Sequence, residues 1–225
     1  MGGSRTVAVF RLEGPLIKKG TLAVSAFYAA NAQRFSDRLL SLARVAASAP
    51  LLTVLGQEDR GFGNRLAYSA LRDMSRDRVE VLAEEYAETY LRDAVLERGR
   101  DLLREARKAG HEILLLAETT AEIVDEVRSL FEPYGALVTN RLEYRSERAT
   151  GRLERPIIGG HESARWLRDY AAEHDVDLTR SVAYASHGAD LLLLSAVGRP
   201  CAVNPDHALR RAAREVDWPI LEYQA

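Results

Sequence analysis

The chain has 225 residues, of which 47% are hydrophobic and 28% charged, with a formal net charge of −2. This is an ordinary globular composition, long enough for one large domain or a core with an insertion, and its near-balanced charge excludes a strong field favouring nucleic acid or an anionic membrane. A single cysteine, Cys201, rules out an internal disulfide; with no basic-then-apolar leader and no run near the roughly 20 apolar residues that span a bilayer, the expected location is cytoplasmic.

Met1 to Thr6 reads as a loose tail, and Val7 to Phe10, apolar and partly β-branched, as a buried strand. Arg11, Glu13 and the Gly14-Pro15 break follow at once. From Gly20 to about Arg92 the pattern is helical, with Leu22, Phe27, Phe35, Leu39, Leu42 and Val45 at helical spacing. Pro50 and the stretch Gly56 to Gly63 interrupt it, and a further helix is expected from Asn64. Ser75 is placed as the N-cap of a helix over Asp77 to Leu91. Strands and helices then alternate. A helix over Asp93 to Ala109 stops at Gly110, and a short strand runs from Glu112 to Leu116. Thr119 or Thr120 caps a helix over Ala121 to Phe131, and Ala136 to Thr139 forms a strand. Leu142 to Leu153 is expected as a hairpin or loop pair with Gly151 at its turn. Glu162 to His174 is a helix, Ser181 to Ala185 a strand, Asp190 to Val197 a helix, Pro200 to Val203 a final strand, and His207 to Val216 a basic helix. This alternation predicts a parallel sheet covered on both faces.

Three stretches carry a family resemblance. The first is Val7 to Ile17, ending R-L-E-G-P-L-I; the second is Ser181 to Asp206, ending V-G-R-P-C-A-V-N-P-D; the third is the close, Trp218-Pro219-Ile220-Leu221. Together they resemble the haloacid dehalogenase (HAD) superfamily, in its phosphoserine-phosphatase-like branch of the IB type, whose first motif is D-x-D-G-T-L-I after an apolar strand. The resemblance implies a Rossmann-like, three-layer α/β core with a mainly parallel sheet. Residues 1–19 and 93–225 would form that core, and 20–92 an inserted α-helical cap lying over the strand ends.

The resemblance also implies that the reactive residues have changed. The nucleophilic aspartate falls on Arg11, the general acid/base aspartate on Glu13 and the following threonine on Pro15. The phosphate-gripping residue of the second motif falls on Ala117, the lysine of the third on Ser163 and the metal-binding aspartate of the fourth on Ser186; a later acid of that motif remains as Asp190. An arginine cannot attack phosphorus, since it stays protonated and presents only donors. Magnesium is held by carboxylate oxygens, so the magnesium expected for the family is predicted not to bind, and no other cofactor is implied. The expectation is a pseudophosphatase that binds a partner protein or an anionic metabolite. The alternative is a divergent phosphohydrolase using Glu13 or Glu118 as its carboxylate. Candidate binding residues are Arg11, Glu13, Glu118, His187 and Asp190. Arg11 is expected to be buried and to act as an internal counter-charge, paired with Asp190 first, or with Glu13 or Glu118.

Other constellations weigh less. Ser186, His187 and Asp190 suggest a hydrolase triad, but adjacent residues at a strand end point apart. His111, His161, His174, His187 and His207 have no metal-ligand spacing. Gly159-Gly160 and Gly61-Phe62-Gly63 lack the lysine of a phosphate loop and read as loops. Arg210, Arg211 and Arg214 read as a solvated helix face, and Phe27, Tyr28 and Phe35 as cap core.

Overall fold

The computed structural model describes residues 5–18, 21–31, 60–223 and the helical positions 39, 42, 43, 45 and 46. Its centre is a six-stranded parallel sheet. The strands are β1 (Val7–Arg11), β2 (Glu112–Thr120), β3 (Ala136–Asn140), β6 (Val182–Ala185), β7 (Arg199–Val203) and β8 (Ile220–Leu221), in spatial order β3-β2-β1-β6-β7-β8. From β1 the chain builds outward first through β2 and β3, then on the other side through β6, β7 and β8. The carboxyl end of β1 is therefore the point at which open α/β sheets form a crevice.

Alternation along β1 divides the core in two. Ala8 and Phe10 face one layer, and Phe10 stacks on Tyr184 with ring centroids 4.4 Å apart. Val7 and Val9 face the other layer, with Leu114, Leu116, Ala164 and Leu167. Both faces of β1 are fully buried, so burial alone supplies roughly 1.5–3 kcal/mol for each large side chain. The first layer holds α4 (Glu97–Lys108) and α5 (Ala121–Val127). The second holds α6 (His161–Glu173), α7 (Leu191–Leu194) and α8 (His207–Glu215). This is a Rossmann-like α/β architecture.

The described part of 20–92 is helical: α1 (Thr21–Ala30), α2 (Arg60–Tyr68) and α3 (Arg76–Tyr86), with α3 continuing through a π-helical turn, Ala87–Leu91. Its two ends meet. Lys18 N–H donates to the Ala94 carbonyl and Leu96 N–H to the Leu16 carbonyl, each at 2.8–2.9 Å. Asn64 in α2 donates to the Ile158 carbonyl at 2.9 Å, tying these helices to the loop before α6. Among the described residues no helix is long and apolar enough to cross a membrane. Met1–Ser4, Gly20, Phe35, Pro50 and Gly56 lie outside the described residues.

Several boundaries differ from the sequence reading, each for a local reason. Arg5 and Thr6 are not loose: Asp177 N–H donates to the Arg5 carbonyl and Glu112 N–H to the Thr6 carbonyl. Gly61, Phe62 and Gly63 lie inside α2, whose helix begins before them. Leu96 is extended, so the helix expected from Asp93 starts at Glu97 after a 3-10 turn, Arg92–Ala94. Thr120 stands at the N-cap of α5 as expected, but its side chain makes no capping hydrogen bond. Antiparallel strands β4 (Leu142–Arg145) and β5 (Arg148–Leu153) form the expected hairpin, but its turn is Ser146-Glu147, not Gly151. Both turn residues have positive φ, 48° and 58°, the geometry of a two-residue hairpin turn. The helix expected over Asp190 to Val197 is only Leu191–Leu194. Strand β7 is not the last, because β8 pairs beyond it.

Candidate functional site

Period-two geometry builds the site. Arg11 follows Val7 and Val9 on one face of β1, and Glu118 follows Leu114 and Leu116 on the same face of β2. Arg11 is in register with Leu116, so Glu118 sits one step beyond it on that face. Ala117 belongs to the opposite core layer. The β2 residue that meets Arg11 is thus Glu118, and Ala117 faces away from it.

The strand expected to end at Leu116 runs on to Thr120, and the added residues, Ala117 to Thr120, are all buried. Its polar end is held by Glu13, whose carboxylate accepts from Glu118 N–H at 3.1 Å and Thr119 N–H at 2.8 Å. A buried carboxylate satisfied by backbone donors is a structural clamp as much as a chemical group.

Arg11 is 1% exposed and sits among three carboxylates. One terminal nitrogen is ion-paired and hydrogen-bonded to Glu118 and lies 3.9 Å from Glu13. Nε lies 3.3 Å from Asp190, and the other terminal nitrogen donates to Ser163 Oγ at 3.3 Å. Burial by itself lowers the guanidinium pKa, but the negative charges of Asp190, Glu118 and Glu13 outweigh it and hold it above its ordinary value. Arg11 is therefore a fixed cation. Asp190, expected as its first partner, contributes the largest favourable charge on the guanidinium, while Glu118 makes the closer contact.

Ser186 is buried, and its hydroxyl donates to the Val203 carbonyl at 2.5 Å. The loop after β1 presses on it: a Cβ on Gly14, whose φ is +99°, would lie 2.3 Å from Ser186 Oγ. Pro15 supplies a carbonyl that accepts from the Tyr223 hydroxyl. His187 is not brought to Arg11 by any described contact. Its Nδ1 lies 3.6 Å from Asp206, at the start of α8, with both side chains about one-third exposed. Ser186 and His187 thus engage different partners, and no triad forms.

Two residues at the site went unnoticed in the sequence. Asn140, fully buried, donates to the Glu118 and Ile158 carbonyls and accepts from Ile158 N–H at 2.7 Å, lacing β2, β3 and the loop before α6 together. Tyr68 is fully buried; burial first, then the charge of Glu13, holds its phenol well above the ordinary range. A lone asparagine at a strand end and an aromatic in an amphipathic helix carry no signal that distinguishes them from core residues.

The family model for haloacid dehalogenase-like hydrolases matches residues 8–195. The chain belongs to this family. Relatives place it in the phosphoserine-phosphatase-like branch. It is 30% identical to the inhibition of morphological differentiation protein of Streptomyces azureus, over 97% of this chain and 79% of that protein. It is 30% identical to a phosphoserine phosphatase of Mycobacterium tuberculosis over 76% of this chain, which spans only 56% of that enzyme. Among solved structures, a Bordetella pertussis protein of unknown function superposes with a TM-score of 0.81 at 22% identity, covering 97% of this chain and 99% of that one. A substrate-bound phosphoserine phosphatase superposes with a TM-score of 0.74 at 15% identity, covering 99% and 95%, a likeness of fold.

Proposed function

We propose that this HAD-family chain does not hydrolyse phosphomonoesters and acts by binding, its ligand an anionic metabolite or a partner protein. The observation that carries the reading is the Arg11 guanidinium, buried and ion-paired with Glu118, Asp190 and Glu13 at the carboxyl end of β1. By resemblance, this is where the family keeps its nucleophilic carboxylate. A guanidinium there offers five donors and no lone pair for attack on phosphorus. It also neutralises the carboxylates that would otherwise activate a nucleophile or hold a cation.

The donor set does not suit magnesium. That ion asks for oxygen ligands in near-octahedral array. Here the carboxylates converge on a fixed cation, and the Ser186 hydroxyl is turned toward the Val203 carbonyl. Among the described residues no group of three or more His, Cys, Asp or Glu is arranged to hold a metal ion. Phosphoryl transfer depends on positioning and charge neutralisation by metal and lysine, and Ser163 supplies no positive charge. Residues 20–92 would serve as a cap over this cleft, with Asn64 docking it at the Ile158 carbonyl.

A second reading has its own support. Glu13, Glu118 and Asp190 remain gathered around one point, and relatives carry the names of phosphatases. A divergent phosphohydrolase would use Glu13 or Glu118 as its carboxylate. The two readings separate in one assay of purified protein on p-nitrophenyl phosphate, with and without magnesium. The binding reading expects background hydrolysis in both. Turnover that disappears in Glu13→Ala or Glu118→Ala overturns it and establishes the second.

A further inference from the structure

The outer face of α6 carries a second feature, independent of the Arg11 cluster. Ser163 and Leu167 turn inward from this helix, and Ser163 meets Arg11. Arg165, Trp166 and Asp169 turn outward into a groove of about 600 Å³ between α6, α2 and the loop after β5. That volume lies in the range of small-molecule sites. Arg65 of α2 and Arg155 of the loop enter the same groove, so three segments distant in sequence each contribute a guanidinium.

Charge decides what fits. The groove holds two acids, and each faces a base: Asp169 lies 3.9 Å from Arg165, and Glu162 lies 3.4 Å from His161. Among the described residues no carboxylate pairs with Arg65 or Arg155. The first turn of α6 lines the groove, and no side chain caps it, which adds partial positive charge. The groove between α3 and α5 has the opposite character: Arg76 and Arg141 share it with Glu80, Glu122, Asp125, Glu126 and Glu154. The α6 groove alone of the two suits an anion.

Trp166 narrows the ligand class. It heads an aromatic ladder at i, i+4 and i+8: its ring stacks on Tyr170 at 5.1 Å and 28°, and Tyr170 lies 4.2 Å from the His174 ring. The ladder fixes the indole as part of the groove wall. An indole beside arginines suits a ligand with a planar ring and an attached anion, because aromatic faces stack bases while guanidinium forks bind phosphate oxygens. We infer that this groove is a nucleotide site, with the base against Trp166 and the phosphates held by Arg65, Arg155 and Arg165.

The test is titration of the intact chain with ADP, GDP and UDP, followed by tryptophan fluorescence and calorimetry. Adenosine and inorganic pyrophosphate serve as the half-ligand controls. At least one nucleotide is expected to quench the fluorescence and to bind more tightly than either half. The quenching should persist in Trp218→Phe and vanish in Trp166→Phe. Arg155 is exposed, so Arg155→Ala should fold normally and weaken binding about tenfold, the worth of one charge-assisted phosphate contact. The inference is overturned if none of the three nucleotides binds below about 1 mM, if pyrophosphate matches the best nucleotide, or if Arg155→Ala binds as the parent does. None of these outcomes depends on phosphatase activity at the Arg11 cluster.

Discussion

Replacing Arg11 with alanine should destabilise the protein severely, and the structure sets the size. The guanidinium is 1% exposed, and Glu118 and Asp190 are fully buried beside it. Glu13 keeps its two backbone donors when Arg11 is removed. Glu118 and Asp190 lose a cation that lies within ion-pair distance of both. Removing one member of a buried ion pair typically costs about 3–5 kcal/mol. For a chain of this size each kcal/mol moves the midpoint by about 2–4 °C, so Arg11→Ala should lower Tm by roughly 10 °C. Urea denaturation gives the free energy and thermal melting the midpoint. The diagnostic arm is the double variant Arg11→Ala with Glu118→Gln. Neutralising Glu118 breaks its ion pair with Arg11 in the parent but has no such pair to break in the variant, so the two changes should couple by at least about 1 kcal/mol. A parent-like Arg11→Ala, within about 0.5 kcal/mol, or strict additivity in the double variant, refutes the internal counter-charge.

Three further expectations follow from the same geometry. Arg11→Asp alone should restore no phosphatase activity, because by resemblance Ser163 and Ser186 stand where the family has the charged residues that act with the nucleophile as a unit; turnover on p-nitrophenyl phosphate by this single variant would refute this. Gly14→Ala should cost about 2 kcal/mol or more, since its φ of +99° is strained for a side chain and the new Cβ meets Ser186 Oγ; an unchanged urea midpoint contradicts this. Asp206 N-caps α8, accepting from Leu209 and Gly188 N–H. Its burial raises its pKa, but the His187 ring beside it and hydrogen bonds from Leu209 and Gly188 outweigh this and bring it down to about 2. A depressed carboxylate stabilises above its unfolded value near 4 and loses that contribution as pH falls toward 2. Asp206→Ala should therefore cost about 1 kcal/mol near neutral pH, the worth of a cap on a partly exposed group. The difference from the parent should shrink between about pH 4 and 2, and a pH-independent difference in urea titrations rejects the assignment.

The sequence by itself determined the layered α/β class and all of its element order up to β8, and it pointed to the end of β1 as the candidate site. Those follow from local physics: apolar runs of strand length, helical periodicity, and charges set directly after a buried strand. The resemblance also set Arg11 where the family keeps its nucleophile, because Gly14-Pro15-Leu16-Ile17 pins that position. What the sequence could not determine were contacts set by register and by polar satisfaction. Glu118 became the nearest partner of Arg11 because β2 continues past Leu116, and it continues because the Glu13 carboxylate satisfies two of its N–H groups. No propensity foretells a buried strand end of Ala-Glu-Thr-Thr. His187 followed Asp206 to the surface of α8 instead of Arg11, a choice made by how the chain turns after β6. The turn at Ser146-Glu147 escaped notice because neither residue is one that positive φ favours, while Gly151 nearby supplied a misleading signal. Only tertiary structure brings Arg65, Arg155 and Arg165 into one groove, since nothing local relates a helix, a loop and another helix ninety or more residues apart at their extremes.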